Sequence, residues 1–487
     1  MRLSYISSAL SLILKDIGIV AFIPIFVALF YHEHHAILPF TTAGFLSLFL
    51  GMLLKKVTKN ISSDSLNDIK RSEALMVVTL SWVSFGFIAA IPYLFYGFSF
   101  TDSLFEAVSG ITTTGATIFE SYAYPHSLLF WRSFTQWLGG MGIIVLFVAI
   151  LPQFAVAGRQ MFFAEAPGPT EDKFTPRIRN TASALWIIYA GLTLVCGICL
   201  WLAGMHPFDS ICNSMSTLSA GGFSPNSLSI YGYHSNLINW IIIIFMFIAG
   251  SSFVLQSRVV TKRKLSLFWK SEEFKVYAIS MLVLSGLLCL ALCLKQHYSF
   301  FHSITASFYQ VLTLATSTGS ASEDFSLWSY DAKVFLFLTM FISSCSGSAG
   351  GGLKITRWIL IFKYMKNELY KILHPKAVLS VKIDNKVVAP DVLRQTVFFA
   401  FCFFGMWVLS AVILTVTEQD SLIGLSSAIS SIGDIGPALE PALGPLGSYA
   451  HLRDISKLIL ILNMLVGRLE IIPFLVLFHK DFWSIKK

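Results

Sequence analysis

Long apolar stretches alternate with short polar segments along the whole chain. Ten of these stretches come close to the roughly 20 residues that an α-helix needs to cross the hydrocarbon of a bilayer. They run over about 11–31, 37–54, 75–97, 131–152, 183–204, 236–257, 276–296, 332–362, 392–416 and 455–479. The pattern therefore predicts an all-α membrane protein with many membrane-spanning helices.

Four shorter and more polar stretches lie between successive pairs of the later spans. They occupy 101–118, 207–224, 303–321 and 420–438, and each is too short and too polar to cross a membrane. We therefore group the last eight spans into four units, each a helix, a re-entrant segment and a second helix. The expected fold has two leading transmembrane helices (1–60) and then four pseudo-symmetric helix–pore-loop–helix repeats around one ion pore, over 70–155, 180–260, 275–365 and 390–480.

A nine-residue internal repeat lies within these polar stretches. Its four copies read AVSGITTTG (107–115), SMSTLSAGG (214–222), VLTLATSTG (311–319) and AISSIGDIG (428–436). Every copy has an apolar residue at position two, Ser or Thr at position three and Gly at position nine. One such patch would mean little, but four copies at equivalent places between apolar helices indicate a fourfold architecture.

The repeat has the properties of an ion pore. Irregular backbone at membrane depth is tolerated where it is buried in protein or lines a water-filled cavity, and glycine allows backbone angles that turn carbonyl groups inward. Rings of carbonyls replace the hydration shell of K+ in potassium filters. Asp102 and Asp209 suit the positive N-terminal ends of short helices whose negative ends would face the pore. The alternative, that small residues only pack helices closely, does not explain the fourfold repeat.

Composition and charge support a membrane protein over a soluble one. The 487 residues are 55% hydrophobic and 13% charged, about half the charged fraction of a soluble domain. The net charge of +8 does not indicate nucleic-acid binding, because Lys and Arg cluster in alternate loops. This positive-inside distribution predicts a multi-pass protein with a cytoplasmic N terminus. A group at 32–35 (His-Glu-His-His) fits a solvated outer turn better than a metal site.

Several motifs together resemble one family. They are TTTGAT (112–117), WRSFTQWLGGMGI (131–143), SAGGFS (219–224), TSTGS (316–320), SGSAGGGLK (346–354), DIGPAL (434–439) and GRLEI (467–471). With these motifs, over nearly its whole length, the chain resembles the Trk/Ktr/HKT potassium-transporter superfamily, in particular its TrkH branch. The resemblance implies a pseudo-fourfold pore in a homodimer of the bacterial inner membrane. It also implies a TrkA-like cytosolic subunit, through which alone a nucleotide would act.

The resemblance assigns the selectivity filter and K+ binding to three residues in each loop. They are Thr113, Thr114 and Gly115; Ala220, Gly221 and Gly222; Ser317, Thr318 and Gly319; and Asp434, Ile435 and Gly436. Glycine at all four filter positions favours K+, since Na+-preferring plant relatives resemble this pattern but carry Ser where Gly115 stands. Two residues depart from the TrkH pattern: Asp434 replaces a usual Asn, and Ala349 a usual Thr.

A run of serine and glycine (343–352) interrupts the eighth span and predicts a broken helix, since each helical glycine costs about 1 kcal/mol. By resemblance this segment is an intramembrane gate beneath the filter, with gate residues Gly347, Ser348, Gly350, Gly351, Gly352, Lys354 and Arg468. A plain kink or close helix crossing is the alternative for the segment. Arg468 is a barrier to K+ or a member of a structural ion pair. Lys354 is a second pore charge or a snorkelling anchor.

These observations predict K+ uptake without covalent chemistry and without a bound cofactor. A rival is K+ symport coupled to H+ or Na+ through the same pore, for which Asp434 is the candidate group. An enzyme is disfavoured, because the sequence has no intramembrane Asp or His pair spaced for metal or proteolytic chemistry. A purely structural or regulatory membrane protein is the remaining rival, and ion-flux measurements would separate it.

Overall fold

The computed structural model describes residues 2–58, 70–142 and 178–483. Its helices are α1 (Leu3–Val20), α2 (Ile23–Phe30), α3 (Ile37–Val57), α4 (Arg71–Leu94), α5 (Phe100–Ile111), α6 (His126–Gly140), α7 (Ile178–Leu202), α8 (Pro207–Leu218), α9 (Asn236–Ala249), α10 (Phe253–Lys262), α11 (Ser266–Lys270), α12 (Glu272–Lys295), α13 (Phe300–Ala315), α14 (Tyr330–Thr339), α15 (Ile355–Leu373), α16 (Pro390–Glu418), α17 (Ser421–Ile432), α18 (Asp454–Arg468), α19 (Ile472–Val476) and α20 (Lys480–Trp483). Two-residue strands, β1 (Lys382–Ile383) and β2 (Lys386–Val387), pair antiparallel.

Many of these helices are long and apolar enough to cross a membrane. In the described ranges there are six such helices, or seven if the bent pair α9–α10 counts as one span. The outward faces of the long helices carry exposed apolar side chains, such as Phe401 and Val416 on α16, which are 75% and 71% exposed. Such faces suit contact with lipid. The expectation of an all-α membrane protein is therefore met, with the small hairpin β1–β2 as an addition.

The two leading segments form a hairpin of helices that packs beside α4. α1 and α3 approach closely because small residues face each other at the crossing: Ser11 Oγ donates to Gly51 O over 2.7 Å, and Ser47 Oγ donates to Leu14 O over 2.6 Å. Hydroxyl-to-backbone bonds of this kind are how small polar residues hold helices together in a membrane.

A short helix follows the first long helix of each predicted repeat. α5 packs on α4, α8 on α7, α13 on α12 and α17 on α16. The short helices have 12 to 16 residues, and their last turns are buried. Two have side-chain caps: Ser99 Oγ accepts from Asp102 N, and Asp420 accepts from Leu422 N and Ile423 N. A buried short helix needs these bonds because its first backbone N–H groups have no helical partner.

The second helices of the repeats are shorter or more broken than the apolar pattern predicts. The expected span 236–257 bends by 94° between α9 and α10. The break at 340–354 separates α14 from α15, as the glycine run predicts. The span expected at 455–479 ends as a regular helix at Arg468, before the positive φ angles of Glu470 and Ile471. Apolar length alone could not locate these breaks, because hydropathy does not register backbone conformation.

Some sequence-based expectations fall on residues outside the described ranges. They are the second half of the 131–152 span with the end of the first repeat near 155, the polar stretch 59–69, the basic residues between 143 and 177, and the last four residues.

The turn after α2 is a tertiary cap rather than a purely solvated turn. The Glu33 carboxylate accepts hydrogen bonds from His126 N (2.6 Å), Ser127 N (3.1 Å) and Ser127 Oγ (3.0 Å), at the first turn of α6. Burial would raise the pKa of Glu33, but these bonds and one from the His126 ring outweigh it and hold the pKa below its usual value. The leading helices are thereby tied to the first repeat.

Candidate functional site

The four repeated loops have the same backbone conformation. Position seven of each nine-residue copy has a positive φ: 61° at Thr113, 56° at Ala220, 56° at Ser317 and 52° at Asp434. Position nine does as well: 82° at Gly115, 76° at Gly222, 74° at Gly319 and 105° at Gly436. The glycines explain position nine. Three of the four residues at position seven are not types that favour this region, so the surrounding structure imposes it.

One backbone hydrogen bond recurs in all four loops. The N–H of position eight donates to the carbonyl oxygen of position three, in Thr114–Ser109 (2.9 Å), Gly221–Ser216 (2.8 Å), Thr318–Thr313 (2.8 Å) and Ile435–Ser430 (2.8 Å). The loop therefore folds back on the last turn of its own helix. In the first and third copies the position-three hydroxyl also donates to the carbonyl of position ten, from Ser109 to Ala116 (2.6 Å) and from Thr313 to Ser320 (2.7 Å).

The glycines at position nine bring the loops into one closed ring. A Cβ atom added to Gly115 would collide with Gly221 O, one added to Gly222 with Thr318 O, and one added to Gly319 with Ile435 O. The fourth contact returns to the first loop, because a Cβ added to Gly436 would lie 2.5 Å from Thr114 O. Each loop thus touches the next in the order one, two, three, four, one. The twelve residues expected from the sequence to form a filter are all brought together.

A cavity of about 520 Å³ opens on one face of the ring, which we call the outer face. All four position-nine glycines line it, together with residues that follow them, such as Thr117 and Ser224, and the loop 441–449. The acidic and basic side chains on its wall are Glu120 and His451, whose carboxylate oxygen and ring nitrogen lie 3.4 Å apart. A passing ion would therefore meet mainly neutral oxygen atoms.

A buried ion pair holds the first two loops from behind. Arg132 on α6 and Glu106 on α5 are 1% and 0% exposed, and Arg132 Nε donates to Glu106 Oε1 over 2.7 Å. Arg132 also donates to Thr117 Oγ1 (3.0 Å) in the first loop and to Ser224 O (3.2 Å) in the second. Sequence analysis missed this pair, although ionisable residues in apolar segments are a signal of function or of a buried partner.

Two uncharged side chains hold the loops in a similar way. Gln136 on α6 donates from Nε2 to Gly221 O (2.5 Å) and accepts at Oε1 from Phe223 N (3.1 Å). It therefore binds the second loop on both sides of Gly222. The Tyr449 hydroxyl donates to Gly436 O over 2.8 Å. Fixed loops keep a constant spacing between their oxygen atoms, which selectivity by ion size requires.

The broken segment 340–354 covers the opposite face of the ring, which we call the inner face. Gly351 N donates to Ser317 Oγ over 2.7 Å, and a Cβ at Gly350 would lie 2.5 Å from Thr316 O. Gly351 also packs against Gly433 and Asp434 of the fourth loop. Gly347 lies away from the ring, where its carbonyl accepts from Phe253 N (3.0 Å) at the start of α10. Glycine is needed at 350 and 351 because backbone contacts backbone there.

Lys354 is buried inside this segment. It is 3% exposed, and its Nζ donates to Ser344 Oγ (3.3 Å), to Ser348 Oγ (3.2 Å) and to the carbonyl of Gly350. That position does not fit an anchor at the membrane surface. The ammonium group instead fastens the turn, and Gly352, with a φ of 71°, lets the chain pass around it.

Arg468, the last residue of α18, joins three parts of the inner face. Its guanidinium donates to Ala349 O (2.9 Å) and, at the end of α6, to Gly139 O (2.5 Å) and Gly140 O (3.1 Å). Glu470 lies elsewhere, 2.6 Å from Arg357 on α15. The three bonds join Arg468 to backbone carbonyls beneath the ring. Its assignments as a barrier to K+ or as a member of a structural ion pair both stay predictions.

Asp434 is the one acidic residue among the twelve ring positions. It is 0% exposed, and its Oδ1 lies 3.0 Å from the Thr114 hydroxyl of the neighbouring loop. No hydrogen-bond partner for Oδ2 occurs in the described part of the chain. The groups of three or more His, Cys, Asp and Glu that would hold a transition metal are also absent from the described ranges.

Comparisons with known proteins agree with this geometry. Residues 40–485 match the TrkH family model, described as a cation transport protein. The chain is 37% identical over 467 residues to the Trk system potassium uptake protein TrkH of Escherichia coli K12, with 95% of each chain covered. It is 35% identical over 493 residues to the protein of the same name from Vibrio parahaemolyticus, with 99% and 100% covered. The crystal structure of the potassium transporter TrkH from Vibrio parahaemolyticus superposes with a TM-score of 0.88 at 32% identity, over 99% of this chain and 100% of that one.

Proposed function

Because the chain belongs to the TrkH family of cation transport proteins, we propose that it takes up K+ across the bacterial inner membrane through the ring of four loops. Family membership makes the chain a transporter rather than an enzyme. The selectivity filter of this proposal consists of the twelve ring residues, three from each loop. The transported ion is its substrate, and no resident cofactor is needed.

The closed order of contacts from loop to loop is the observation that supports this proposal most. Four oxygen-bearing backbones in mutual contact around one line can replace water around a dehydrated monovalent cation. α5, α8, α13 and α17 each end two residues before position seven of their loop, so the partial negative charges at these helix ends lie close to the ring and favour a cation there. The outer cavity then supplies hydrated ions, and the position-nine glycines border it.

We propose that the segment 340–354 is the gate. Gly350 and Gly351 contact the third and fourth loops, and Lys354 and Arg468 hold the segment in this position by bonds to backbone carbonyls. A change that released Arg468 from Ala349 O would free the segment from α18. Opening would then require only a local movement of a glycine-rich chain, whose backbone has many accessible conformations.

The cellular setting of the proposal comes from the family resemblance. It includes a homodimer, a TrkA-like cytosolic regulatory subunit that alone binds nucleotide, and a cytoplasmic N terminus. The basic residues in alternate loops support this orientation. The names of the relatives, which speak of a Trk system, support the expectation of further components.

The decisive experiment measures K+ and Na+ flux in liposomes for the wild-type chain and for Gly115→Ser. A serine at this position would place its Cβ against Gly221 O in a backbone conformation that favours glycine. We expect K+ flux in the wild type, and a lower ratio of K+ to Na+ flux in the variant. Gly405→Ser is the matched control, because a Cβ at this exposed helical position meets nothing within 4 Å.

An unchanged ion ratio in well-folded Gly115→Ser, or equal effects of both serine substitutions, would contradict the filter assignment. Rescue of K+-limited growth in a bacterium that lacks its own uptake systems is a simpler first test of transport.

Symport of K+ with H+ or Na+ is the second candidate function, and Asp434 is the observation that favours it. A buried carboxyl group with a bare oxygen, in contact with the ring, could bind a second cation or carry a proton. Reversal potentials distinguish the two modes: they follow the K+ gradient alone in a channel and depend on pH or Na+ in a symporter.

A further inference from the structure

The segment 340–354 and the residues that follow it have a tip and a base. At the tip (349–351), Gly350 and Gly351 contact the third and fourth loops of the ring. At the base (344–346 and 355–356), the chain enters and leaves the glycine run beside the first turn of α12. One side chain of that turn, Glu273, contacts both sides of the base. It lies outside the residues assigned above to the gate.

The carboxylate of Glu273 joins the two sides of the base. Its Oε1 accepts from Ser346 N (2.5 Å), where the chain enters, and from the Thr356 hydroxyl on α15, where the chain has left. The Ser346 hydroxyl donates to Thr356 Oγ1 over 3.0 Å, so the three residues form one cluster. Hydrogen bonds to a carboxylate are roughly twice as strong as those between neutral groups. The cluster therefore closes a loop that contains the glycine run.

Backbone bonds close the same base. Ile355 N donates to Ser344 O over 3.1 Å, and Cys345 N donates to Gly250 O over 2.9 Å at the bend between α9 and α10. Glu273 adds an attachment of both sides to α12, the first helix of the third repeat. This attachment can be removed by substitution without any change in the sequence of the segment.

Its place in the first turn of α12 would by itself suggest that Glu273 caps the helix, since acidic residues suit helix N-termini. Glu73 has that role in the first turn of α4, the equivalent helix of the first repeat, where it accepts from Lys70 N over 3.0 Å. The cap of α12 is instead Ser271, whose Oγ accepts from Phe274 N. Glu273 bonds to the base of the segment, so capping does not account for its contacts.

The neighbouring residue Glu272 provides a comparison. It also lies in the first turn of α12 and also contacts α15, but through an ion pair with Lys363, two turns beyond the base. Glu272 and Glu273 therefore share a charge, a helix and a partner helix. They differ in that the bonds of Glu273 reach Ser346 in the segment.

We propose that Glu273 is a positioning residue of the gate: by tying both sides of the base to α12, it keeps the glycine-rich tip against the inner face of the ring. Without this tie the two sides can separate, and the tip gains conformations that leave the ring uncovered. The tie controls how often the path is open and does not touch the loops that select the ion. This inference rests on the proposed function, and in particular on the gate assigned to the segment 340–354.

K+ and Na+ flux of the full-length chain in liposomes tests this role with Glu273→Ala. We expect the maximal rate of K+ flux to rise by roughly tenfold, the effect on an equilibrium of losing a hydrogen bond to a charged group. The KM for K+ and the ratio of K+ to Na+ flux should stay as in the wild type, because the ring is unchanged. Glu272→Ala is the matched control and should keep the wild-type rate.

Two further variants sharpen the test. Glu273→Gln keeps an oxygen that can accept from Ser346 N but loses the charge, so its rate should lie between those of the wild type and Glu273→Ala. Thr356→Val should raise the rate less than Glu273→Ala does, and should add nothing to it in the double variant, because both act through one contact.

An unchanged or lower rate in well-folded Glu273→Ala, equal rises in Glu273→Ala and Glu272→Ala, or a changed ion ratio would overturn the proposal. Fully additive effects of Glu273→Ala and Thr356→Val would contradict it as well.

Hydrogen–deuterium exchange followed by mass spectrometry measures the tie without transport. Peptides that cover 344–352 should exchange faster in Glu273→Ala than in the wild type or Glu272→Ala, because the Ser346 N–H loses its acceptor. Equal exchange in the three proteins would overturn the proposal. The two measurements separate two failures: a wild-type chain that passes no K+ refutes the proposed function, whereas faster exchange with unchanged flux refutes the positioning role alone.

Discussion

The outer and inner faces of the ring differ in the chemical groups that form them. On the outer face, a cavity of about 520 Å³ reaches all four position-nine glycines, and its wall offers mainly neutral oxygens. On the inner face, the segment 340–354 contacts the loops directly, Lys354 and Asp434 are buried around it, and Arg468 is half-buried. The positively charged side chains Lys354 and Arg468 therefore lie on the covered face of the ring, whereas the open face offers mainly neutral oxygens. If the ring is the filter and the segment 340–354 is the gate, as proposed above, this difference separates recognition of the ion from its control across the thickness of the ring.

The supports of the two faces differ in the same way. On the outer side, the loops are held by groups of the protein that lie behind them, such as Arg132 with Glu106. On the inner side, the bonds of Arg468 run between separate helices and the broken segment. In the function proposed above, the first arrangement keeps the ring in place, and the second is the one that opening of the gate would release.

The largest expected effect comes from breaking the ring itself with Gly319→Ala. The added Cβ would collide with Ile435 O at a φ of 74°, and the left-handed conformation alone costs about 1–2 kcal/mol for a residue with a side chain. We expect K+ flux in liposomes to fall to the background of empty vesicles. Gly286→Ala is the control, since a Cβ at this exposed position of α12 meets nothing within 4 Å. Retained flux in Gly319→Ala would show that the glycine contacts are not required.

Removing the support behind the outer face should have the next largest effect. In Glu106→Gln the Arg132 charge stays buried and loses its partner, a change that typically costs about 3–5 kcal/mol. The midpoint of thermal unfolding in detergent should fall clearly. Arg394→Gln is the comparison, because the Arg394–Asp391 pair is nearly fully exposed and should change stability by less than about 0.5 kcal/mol. Equal midpoints for the two variants would mean that the buried pair does not stabilise the ring.

Releasing the inner face should have a smaller effect and the opposite sign. Arg468→Ala removes a positive charge from the proposed ion path and three bonds to Ala349, Gly139 and Gly140. A repulsion of about 1 kcal/mol, typical of charges a few ångströms apart in a polar medium, corresponds to roughly a fivefold gain in K+ flux. Arg468→Lys keeps the charge but loses the planar fork, and its flux should lie between the two. Slower flux in well-folded Arg468→Ala would contradict the barrier role.

The smallest expected effect concerns the cap that ties the leading helices to the first repeat. Glu33→Gln should reduce stability at neutral pH by about 1 kcal/mol, the usual contribution of a helix cap. Because the pKa of Glu33 is lower in the folded protein, its contribution is present above the unfolded pKa and is lost as pH falls through the folded pKa. The difference in unfolding midpoint between the two proteins should therefore shrink on acidification. A difference that grows in acid would disprove the cap.

The fold was largely predictable from the sequence because bilayer thickness and hydropathy constrain it strongly. The alternation of long spans and short polar stretches predicted α4–α5, α7–α8, α12–α13 and α16–α17, and the glycine run predicted the break after α14. The sharp bend between α9 and α10 and the end of α18 at Arg468 were not predicted. Both lie within uniformly apolar stretches, where backbone conformation leaves no trace in hydropathy.

The sequence predicted which residues belong to the candidate site, but not which hydrogen bonds they make. The glycines at position nine could be recognised from the sequence, because few other residues tolerate their φ angles. The positive φ angles of Thr113 and Asp434 could not be predicted in this way, because no feature of the neighbouring sequence requires them. The outer turn with Glu33 also looked solvated, because its partners Ser127 and His126 lie more than 90 positions away.

By itself, the sequence predicted a multi-pass membrane protein with four helix–loop–helix units, and it indicated which residue of each loop must be glycine. Only the tertiary structure decided which loop touches which, that Arg132 spans two of them, and that Asp434 lies against Thr114 of the first loop. The physical reason is the separation along the chain over which each interaction acts. Hydropathy and backbone preference act over a few residues, whereas hydrogen bonds and buried charges join atoms that the chain brings together from hundreds of residues apart.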